Sequence, residues 1–178
     1  MLEPAHQPTR RARPLNVLED PGRPWYGRGL KFRCTACGNC CSGPTGYVWI
    51  SEEEVERLAL HLGRTPDDVR QRYTRSIGRR RSLKERKNLE GKYDCIFLID
   101  LPDDEQTGER RRGCGIYEAR PLQCRTWPFW DGVVESRRSW EHAKSVCPGM
   151  DQGKHYTRKR IEELRDAADW PESPPSST

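Results

Sequence analysis

The densest chemical pattern in the sequence is a run of four cysteines within eight residues, Cys34-Thr35-Ala36-Cys37-Gly38-Asn39-Cys40-Cys41. Two residues between successive cysteines let the chain turn so that their thiolates face one metal centre, a spacing typical of zinc knuckles and ferredoxin loops. Gly38 in the turn tolerates a positive φ and leaves backbone amides free to point at sulfur. The run therefore predicts a metal site.

The adjacent pair Cys40-Cys41 indicates more than one metal atom. Because neighbouring side chains diverge, we expect one of the two thiols to join a second centre or a second iron of a larger cluster. Four further thiols would complete two four-ligand sites, although the spacing leaves their grouping open: Cys95, Cys114, Cys124 and Cys147. All-sulfur ligation suits zinc and iron–sulfur clusters alike. The count and the pair favour an iron–sulfur cluster of the 4Fe-4S type, with zinc as the alternative.

Two arginines are candidate cofactor-binding residues. Arg120 and Arg125 flank Cys124, and guanidinium groups that donate to thiolate sulfur would lower its desolvation cost and tune a redox potential. For Arg125 the alternative is a solvated side chain or one paired with Glu118. His142, five residues before Cys147, could replace a cysteine ligand, but a surface histidine is the favoured interpretation.

The chain is poor in residues that form a hydrophobic core. Leu, Ile, Val and Phe number 29 of 178 residues, the mean hydropathy is −1.00, and 33% of residues are charged. Such a core would struggle to offset the conformational entropy of ordering more than about a hundred residues. We therefore expect bound metal to hold the fold together.

The cysteines are expected to stay reduced. Residues 1–8 contain no apolar run of the kind found in signal peptides, and no stretch is long enough to span a bilayer. These features predict a cytoplasmic protein without a membrane partner. In that compartment clustered cysteines are typical metal ligands, and disulfides are the lesser alternative.

Composition divides the chain into three parts. Residues 1–24 are proline-rich and basic and predict a flexible arm, whereas residues 169–178 predict a disordered Pro/Ser tail. The intervening residues 25–168 hold every cysteine and predict one metal-binding domain.

Three helices are predicted within this domain. Ser51 and Glu54 form a capping-box pattern, and apolar residues follow at helical spacing up to Gly63. A second helix is predicted to open at Thr65-Pro66, with Val69, Tyr73 and Ile77 on one stripe. A third is predicted over 154–168, with inward residues Ile161, Leu164 and Ala168.

Short strands are predicted around the later cysteines. The apolar runs 95–99 and 114–117 predict a hairpin with a long polar loop over 102–112, and residues 47–50 could add a third strand. The predicted fold class is α+β: a small metal-held domain with short β-strands, a hairpin, peripheral helices and disordered tails.

The order of these motifs resembles the YkgJ-type cysteine-cluster family, described as a zinc- or iron-chelating CxxCxxCC domain. The resemblance rests on Phe32 with the run 34–41, and on Cys95 with Phe97-Leu98. It also includes Cys114-Gly115-Ile116-Tyr117-Glu118-Ala119-Arg120-Pro121-Leu122-Gln123-Cys124-Arg125-Thr126-Trp127-Pro128-Phe129, and ends at Cys147. It implies eight ligand candidates, namely Cys34, Cys37, Cys40, Cys41, Cys95, Cys114, Cys124 and Cys147. Family members are called metal-chelating and sometimes iron–sulfur oxidoreductases, and the resemblance supplies no substrate.

The leading hypothesis is a metal-binding protein that carries an iron–sulfur cluster and serves redox chemistry or electron transfer with a partner protein. The alternative is a structural zinc module that mediates protein or nucleic-acid interaction. Whether the protein is an enzyme, such as a component of an iron–sulfur oxidoreductase, stays open. Basic clusters at 79–81 and 110–112 are interspersed with acidic residues, so solvated faces are favoured over nucleic-acid binding. No phosphate-binding loop or dinucleotide motif is present.

Overall fold

The computed structural model describes residues 24–103, 105–106, 108 and 111–167. The predicted tail and all but the last residue of the predicted arm lie outside this range. The strands are, in chain order, β1 (Leu30–Phe32), β2 (Ser42–Gly43), β3 (Thr74–Ile77), β4 (Arg80–Leu83), β5 (Glu85–Lys87), β6 (Tyr93–Cys95), β7 (Leu98–Leu101), β8 (Arg111–Cys114) and β9 (Lys154–Tyr156). The α-helices are α1 (Glu52–Leu62), α2 (Pro66–Tyr73), α3 (Leu122–Thr126), α4 (Asp131–Val134), α5 (Arg137–Lys144) and α6 (Arg158–Asp166), and 3-10 turns occupy Asn39–Cys41 and Tyr117–Ala119.

The strands form small antiparallel sheets. β1 pairs with β9, β3 with β4, and β7 with β8, while β6 lies between β2 and β5. Short strands and separate helices confirm the predicted α+β class. Strands this short expose much of their surface, so the elements depend on packing against one another.

Helix α1 confirms the predicted capping box. The Ser51 hydroxyl accepts the Glu54 amide at 3.2 Å, and the Glu54 carboxylate accepts the Ser51 amide at 3.1 Å. These bonds satisfy amides that the first helical turn leaves without partners. The helix ends at Gly63, which adopts a left-handed conformation with φ of 61°.

Helix α2 begins as predicted but ends earlier. Thr65 caps it and Pro66 occupies its first turn, yet the helix stops at Tyr73, so the predicted helical position of Ile77 was wrong. The Thr74 hydroxyl donates to the Arg70 carbonyl, which the helix end would leave unpaired. Thr74–Ile77 then pairs with β4 in a hairpin, where Gly78 has a φ of 57°.

The predicted strand over 95–99 is divided in two. β6 ends at Cys95, the chain turns through Ile96 and Phe97, and β7 starts at Leu98. The predicted strand over 114–117 was also wrong beyond Cys114, because a turn and the 3-10 segment Tyr117–Ala119 follow. The predicted hairpin itself is confirmed as β7 paired with β8.

Two other elements differ from prediction. Residues 47–50 run beside β4 but form only an isolated bridge between Trp49 and Ser82. The third helix begins at Arg158, because residues 154–156 pair with β1 and Thr157 caps the helix. Ile161 is buried and Leu164 packs against the same core, as predicted, whereas Ala168 lies outside the described residues.

The buried apolar residues form two cores. The first comes from the middle of the chain and contains Ile50, Val55, Leu58, Ala59, Val69, Leu83, Phe97, Ile116 and Ala119. The second joins both ends of the described chain and contains Tyr26, Leu30, Phe129, Val134, Trp140, Cys147, Met150 and Ile161. No helix in the described residues is long and apolar enough to cross a membrane.

Candidate metal centre

Six cysteines line one cavity of about 300 Å³, which we call the sulfur cavity. They are Cys34, Cys40, Cys41, Cys95, Cys114 and Cys124. The 3-10 turn carries the adjacent pair, β6 and β8 end at Cys95 and Cys114, and α3 carries Cys124. Residues far apart in sequence therefore present their thiols to one space.

Gly38 fits the cysteine run against the β7–β8 hairpin. Its φ is 72°, as the sequence predicted, and a Cβ there would lie 2.9 Å from Leu98 Cδ1 and 3.0 Å from Arg112 Cβ. A larger residue would have to push these side chains aside and adopt a left-handed φ that side chains rarely take. Glycine at this position therefore favours the close approach of the run to the hairpin.

Cys95 and Cys114 have matching local geometry. Each ends a strand, and the backbone amide two residues later, that of Phe97 or Ile116, donates to its sulfur. Burial raises the pKa of Cys95 to about 11 and raises that of Cys114, while these amides act in the opposite direction. Amides that point at sulfur favour the thiolate, the form that binds metal.

The remaining thiols of the cavity interact with one another. Cys40 and Cys41 sulfurs lie 3.9 Å apart, and the hydrogen bond between them lowers the pKa of Cys40 and raises that of Cys41. Burial, followed by the charge of Cys95, raises the pKa of Cys124. Assembling all these thiolates without a cation would therefore be unfavourable.

Arg120 supplies positive charge at this cavity. It lines the cavity wall, and its charge favours the thiolates of Cys40 and Cys114. Its guanidinium carbon lies 3.6 Å from the ring centroid of Tyr117, and its Nε donates to the Tyr117 carbonyl at 2.8 Å. Partial burial and a hydrogen bond with Cys34 raise the pKa of Tyr117.

Arg125 lies on a different surface. Its guanidinium is 3.5 Å from Glu54 Oε1, and it lines a separate groove beside α1 rather than the sulfur cavity. The structure thus brings Arg120, but not Arg125, to the thiols. The partner of Arg125 is Glu54 rather than Glu118.

Cys37 and Cys147 line a second cavity of about 600 Å³. Cys34 and Cys40 lie on both cavities, as do Trp127 and Trp130. We call the second space the tryptophan cavity, after an apolar wall made by Phe32, Trp127, Trp130, Val133, Ala143 and Val146. Every cysteine of the chain therefore borders one of two adjoining spaces.

The donor set fits a soft metal or a sulfide cluster, because thiolates are the ligands that such groups prefer. Across the described residues, however, no group of three or more His, Cys, Asp or Glu side chains is arranged to hold a single metal ion. The six thiols of the sulfur cavity lie along its wall. The Thr35 hydroxyl, inside the cysteine run, is buried and has no hydrogen-bond partner. It is a donor for which a bound group would supply the acceptor.

Sequence reasoning missed Thr35, Tyr117 and Glu54 as residues of this region. A hydroxyl between two metal-type cysteines and an aromatic residue three positions before Arg120 were the available signals. Glu54 carried no such signal, since its second role is a contact with the distant residue Leu122, whose amide donates to Oε1 at 2.7 Å.

Other basic residues in and near the basic cluster make contacts within the fold. Arg81 pairs with Glu52 at 3.3 Å, and Arg86 donates to the Leu98 carbonyl at 2.6 Å. His142 is exposed and lies at the edge of the tryptophan cavity. Arg81, of the basic cluster at 79–81, and the nearby Arg86 are thus engaged in contacts that hold strands and α1 together.

Comparisons with known proteins match the part of the chain that holds the cysteines. No solved structure matches the chain. It is 34% identical over 104 residues to "Uncharacterized protein MJ0661" of Methanocaldococcus jannaschii, an alignment that covers 58% of this chain and 48% of the relative. The chain thus spans about half the length of that curated relative. A family model described as "Putative zinc- or iron-chelating domain" matches residues 33–148, which include all eight cysteines, and the chain therefore belongs to the CxxCxxCC family of metal-chelating domains.

Proposed function

We propose that the protein binds an iron–sulfur cluster of the 4Fe-4S type in the sulfur cavity and exchanges electrons with a partner protein. The observation that carries this proposal is that six thiols from segments far apart in sequence line one cavity. A multinuclear cluster spans several ångströms, so it suits ligands that surround a volume better than a lone ion does.

The residues of the chain would each have a defined role. Cys95, Cys114, Cys124 and one thiol of the Cys40-Cys41 pair are the proposed ligands, because these thiols line the sulfur cavity from separate segments of the chain. The amides of Phe97 and Ile116 would donate to ligand sulfur, and Arg120 would offset negative charge.

When bound, the cluster supplies one-electron transfer at a potential that such hydrogen bonds and charges tune. Trp127 and Trp130 cover the cavity on one side and limit the access of water. Cys34 and Cys40 are exposed, so the cysteine run offers a partner protein a short path to the site.

The test is metal analysis of protein purified without oxygen. We expect a coloured protein with about four iron and four sulfide per chain, and an electron paramagnetic resonance signal after reduction. A colourless protein with bound zinc and no labile sulfide would overturn the proposal.

Cysteine variants test which cavity holds the cluster. Cys95→Ser and Cys114→Ser are expected to lose most of the iron, because both residues line only the sulfur cavity. Cys37→Ser and Cys147→Ser are the matched controls, because these residues line only the tryptophan cavity. Equal loss in all four variants would contradict this assignment and favour eight ligands in two centres.

A structural zinc module is the second candidate. The two strand-end cysteines with amides that donate to sulfur are also typical of zinc knuckles. This candidate predicts a colourless, redox-inactive protein whose zinc content falls in Cys95→Ser and Cys114→Ser.

A further inference from the structure

The tryptophan cavity has the properties of a small-molecule site. Its volume of about 600 Å³ lies within the range of ligand pockets, and its wall is mainly apolar and aromatic. It adjoins the sulfur cavity through Trp127 and Trp130, which lie on both. A molecule bound there would be next to the cysteines.

The two indole rings are held rigidly. Trp130 Nε1 donates to the Gln123 carbonyl at 3.0 Å and to Thr126 Oγ1 at 3.2 Å, and Trp127 Nε1 donates to Cys147 Sγ at 3.5 Å. The rings meet edge to face with centroids 4.8 Å apart. Because their polar edges are engaged by the protein, the apolar faces are the surfaces offered to a ligand.

Arg138 supplies positive charge at this cavity. Arg138 and His142 lie four residues apart on α5 and therefore share a helix face, and both line the cavity. The lining of this cavity includes no aspartate or glutamate. Within the part of the chain that the structure describes, Arg138 has no ion pair or hydrogen bond. An anion would thus find a cation beside an aromatic wall.

We propose that the tryptophan cavity binds a planar aromatic anion, with its ring against the indoles and its acidic group paired with Arg138. His142 lies one turn along α5 and would add a hydrogen bond to the same group. This inference goes beyond the proposed function, because it needs no particular metal in the sulfur cavity.

The test uses two probes of nearly the same shape. 8-Anilinonaphthalene-1-sulfonate is an aromatic anion with a planar naphthalene ring, and N-phenyl-1-naphthylamine is the same molecule without the sulfonate. Equilibrium dialysis against the metal-loaded protein, as purified, avoids quenching by a coloured cluster. We expect saturable binding of about one sulfonate probe per chain, and weaker binding of the neutral probe.

Adjacent arginines provide the matched variants. Arg138→Gln is expected to weaken binding of the sulfonate about three- to tenfold and to leave the neutral probe unchanged, because only the ion pair is lost. Arg137→Gln is the control, because Arg137 does not line the cavity. Its charge instead favours the neutral form of Lys144 and the ionised form of Asp151.

Three results would overturn the proposal: no saturable binding, no preference for the anionic probe, or equal effects of the two substitutions. A second metal centre in this space would give the first of these results. Iron and sulfide content, measured on the same samples, reports separately on the proposed function.

Discussion

The thiols in the sulfur cavity come from several elements. Cys95 ends β6 and Cys114 ends β8, in two different sheets, while Cys124 lies on α3 and the adjacent pair lies on a 3-10 turn. Burial disfavours thiolates in the absence of metal, so each ligand thiol contributes to stability mainly through the bond it makes.

Substituting one such thiol should weaken metal binding and the fold together. Cys124→Ser is expected to reduce bound metal and to lower the melting temperature by several degrees, because metal binding contributes folding free energy. Thr126→Ser, which deletes one methyl group from a buried residue of the same helix, is the control. Metal analysis and differential scanning calorimetry provide the measurements. A Cys124→Ser protein that keeps its metal and melts like the parent would contradict the role of this thiol.

Thr35 tests the cost of a buried hydroxyl in the metal-free protein. Thr35→Val should stabilise this form by about 1 kcal/mol, because a buried hydroxyl without a partner is removed and the shape is kept. Thr35 borders the tryptophan cavity and not the sulfur cavity, so the iron and sulfide content should stay unchanged. Urea unfolding and metal analysis measure the two effects. Thr45→Val, which alters an exposed hydroxyl bonded to Glu85, is the control and should not stabilise the fold.

At the scale of elements, Glu54 connects α1 to the helix that carries Cys124. Its carboxylate accepts the Ser51 amide of its own capping box and the Leu122 amide at the start of α3. Arg57 and Arg125 lie within 3.2 Å and 3.5 Å of Oε1. One buried carboxylate thus accepts backbone amides at the N-terminal ends of two helices.

Removing the Glu54 carboxylate should lower the free energy of unfolding more than removing the Ser51 hydroxyl alone. Ser51→Ala is expected to cost about 1 kcal/mol, the usual effect of a lost helix cap. Glu54→Ala should cost about 2–3 kcal/mol and reduce metal content, because the Leu122 amide also loses its acceptor. Glu53→Ala, at an exposed position of the same turn, should change little. Chemical denaturation measures the three variants, and equal costs for Ser51→Ala and Glu54→Ala would refute the link between helices.

Asp94 joins β6 to its neighbours through hydrogen bonds to its carboxylate. A hydrogen bond from Ser42 at 2.6 Å, and then one from Asn88 at 3.0 Å, lower the pKa of Asp94. Because the folded pKa is below the unfolded value of about 3.9, this stabilisation is complete above that value and disappears as the pH falls through the folded pKa.

The difference in stability between the parent and Asp94→Asn should therefore depend on pH. At pH 6 we expect the parent to be more stable than Asp94→Asn by about 1–2 kcal/mol, which is the order of a hydrogen bond to a charged group. Near pH 2 the difference in the free energy of unfolding should be much smaller. Urea unfolding of metal-free protein at both pH values measures it. Asp103→Asn, in the exposed loop after β7, is the control. A difference that stays constant with pH would show that the charge of Asp94 is irrelevant.

At the scale of the whole molecule, the sulfur cavity receives side chains from both cores. Cys95 and Cys114 pack against the first core, and Trp127 packs against the second. β1 and β9 close the second core by joining the two ends of the described chain. A metal centre bonded to these walls would therefore couple the two halves.

Removing the metal should uncouple the cores rather than melt one local turn. We expect a broader unfolding transition and faster amide hydrogen exchange in 34–43 and 93–98, with less change in α1, because α1 belongs wholly to the first core. Chelation followed by calorimetry and hydrogen exchange tests this. An unchanged, sharp transition after complete metal removal would show that the two cores suffice without it.

Local signals in the sequence identified many elements correctly. The capping box, the Thr65 cap and the positive φ of Gly38 are determined by residues within a few positions, so they could be predicted. The errors at Ile77, at 114–117 and at 154–156 have a common cause. In each case pairing or turning contacts with other segments decided the conformation, overriding local periodicity.

By itself the sequence determined the ligand types and the family: eight cysteines, few core-forming residues for the chain length, and the motif order of a metal-chelating family. Only the tertiary structure decided which thiols share a cavity, why Arg120 and not Arg125 lies among them, and that a second, aromatic cavity adjoins the first. The physical reason is that ligand type is a property of each residue, whereas the grouping of thiols depends on contacts between segments far apart along the chain.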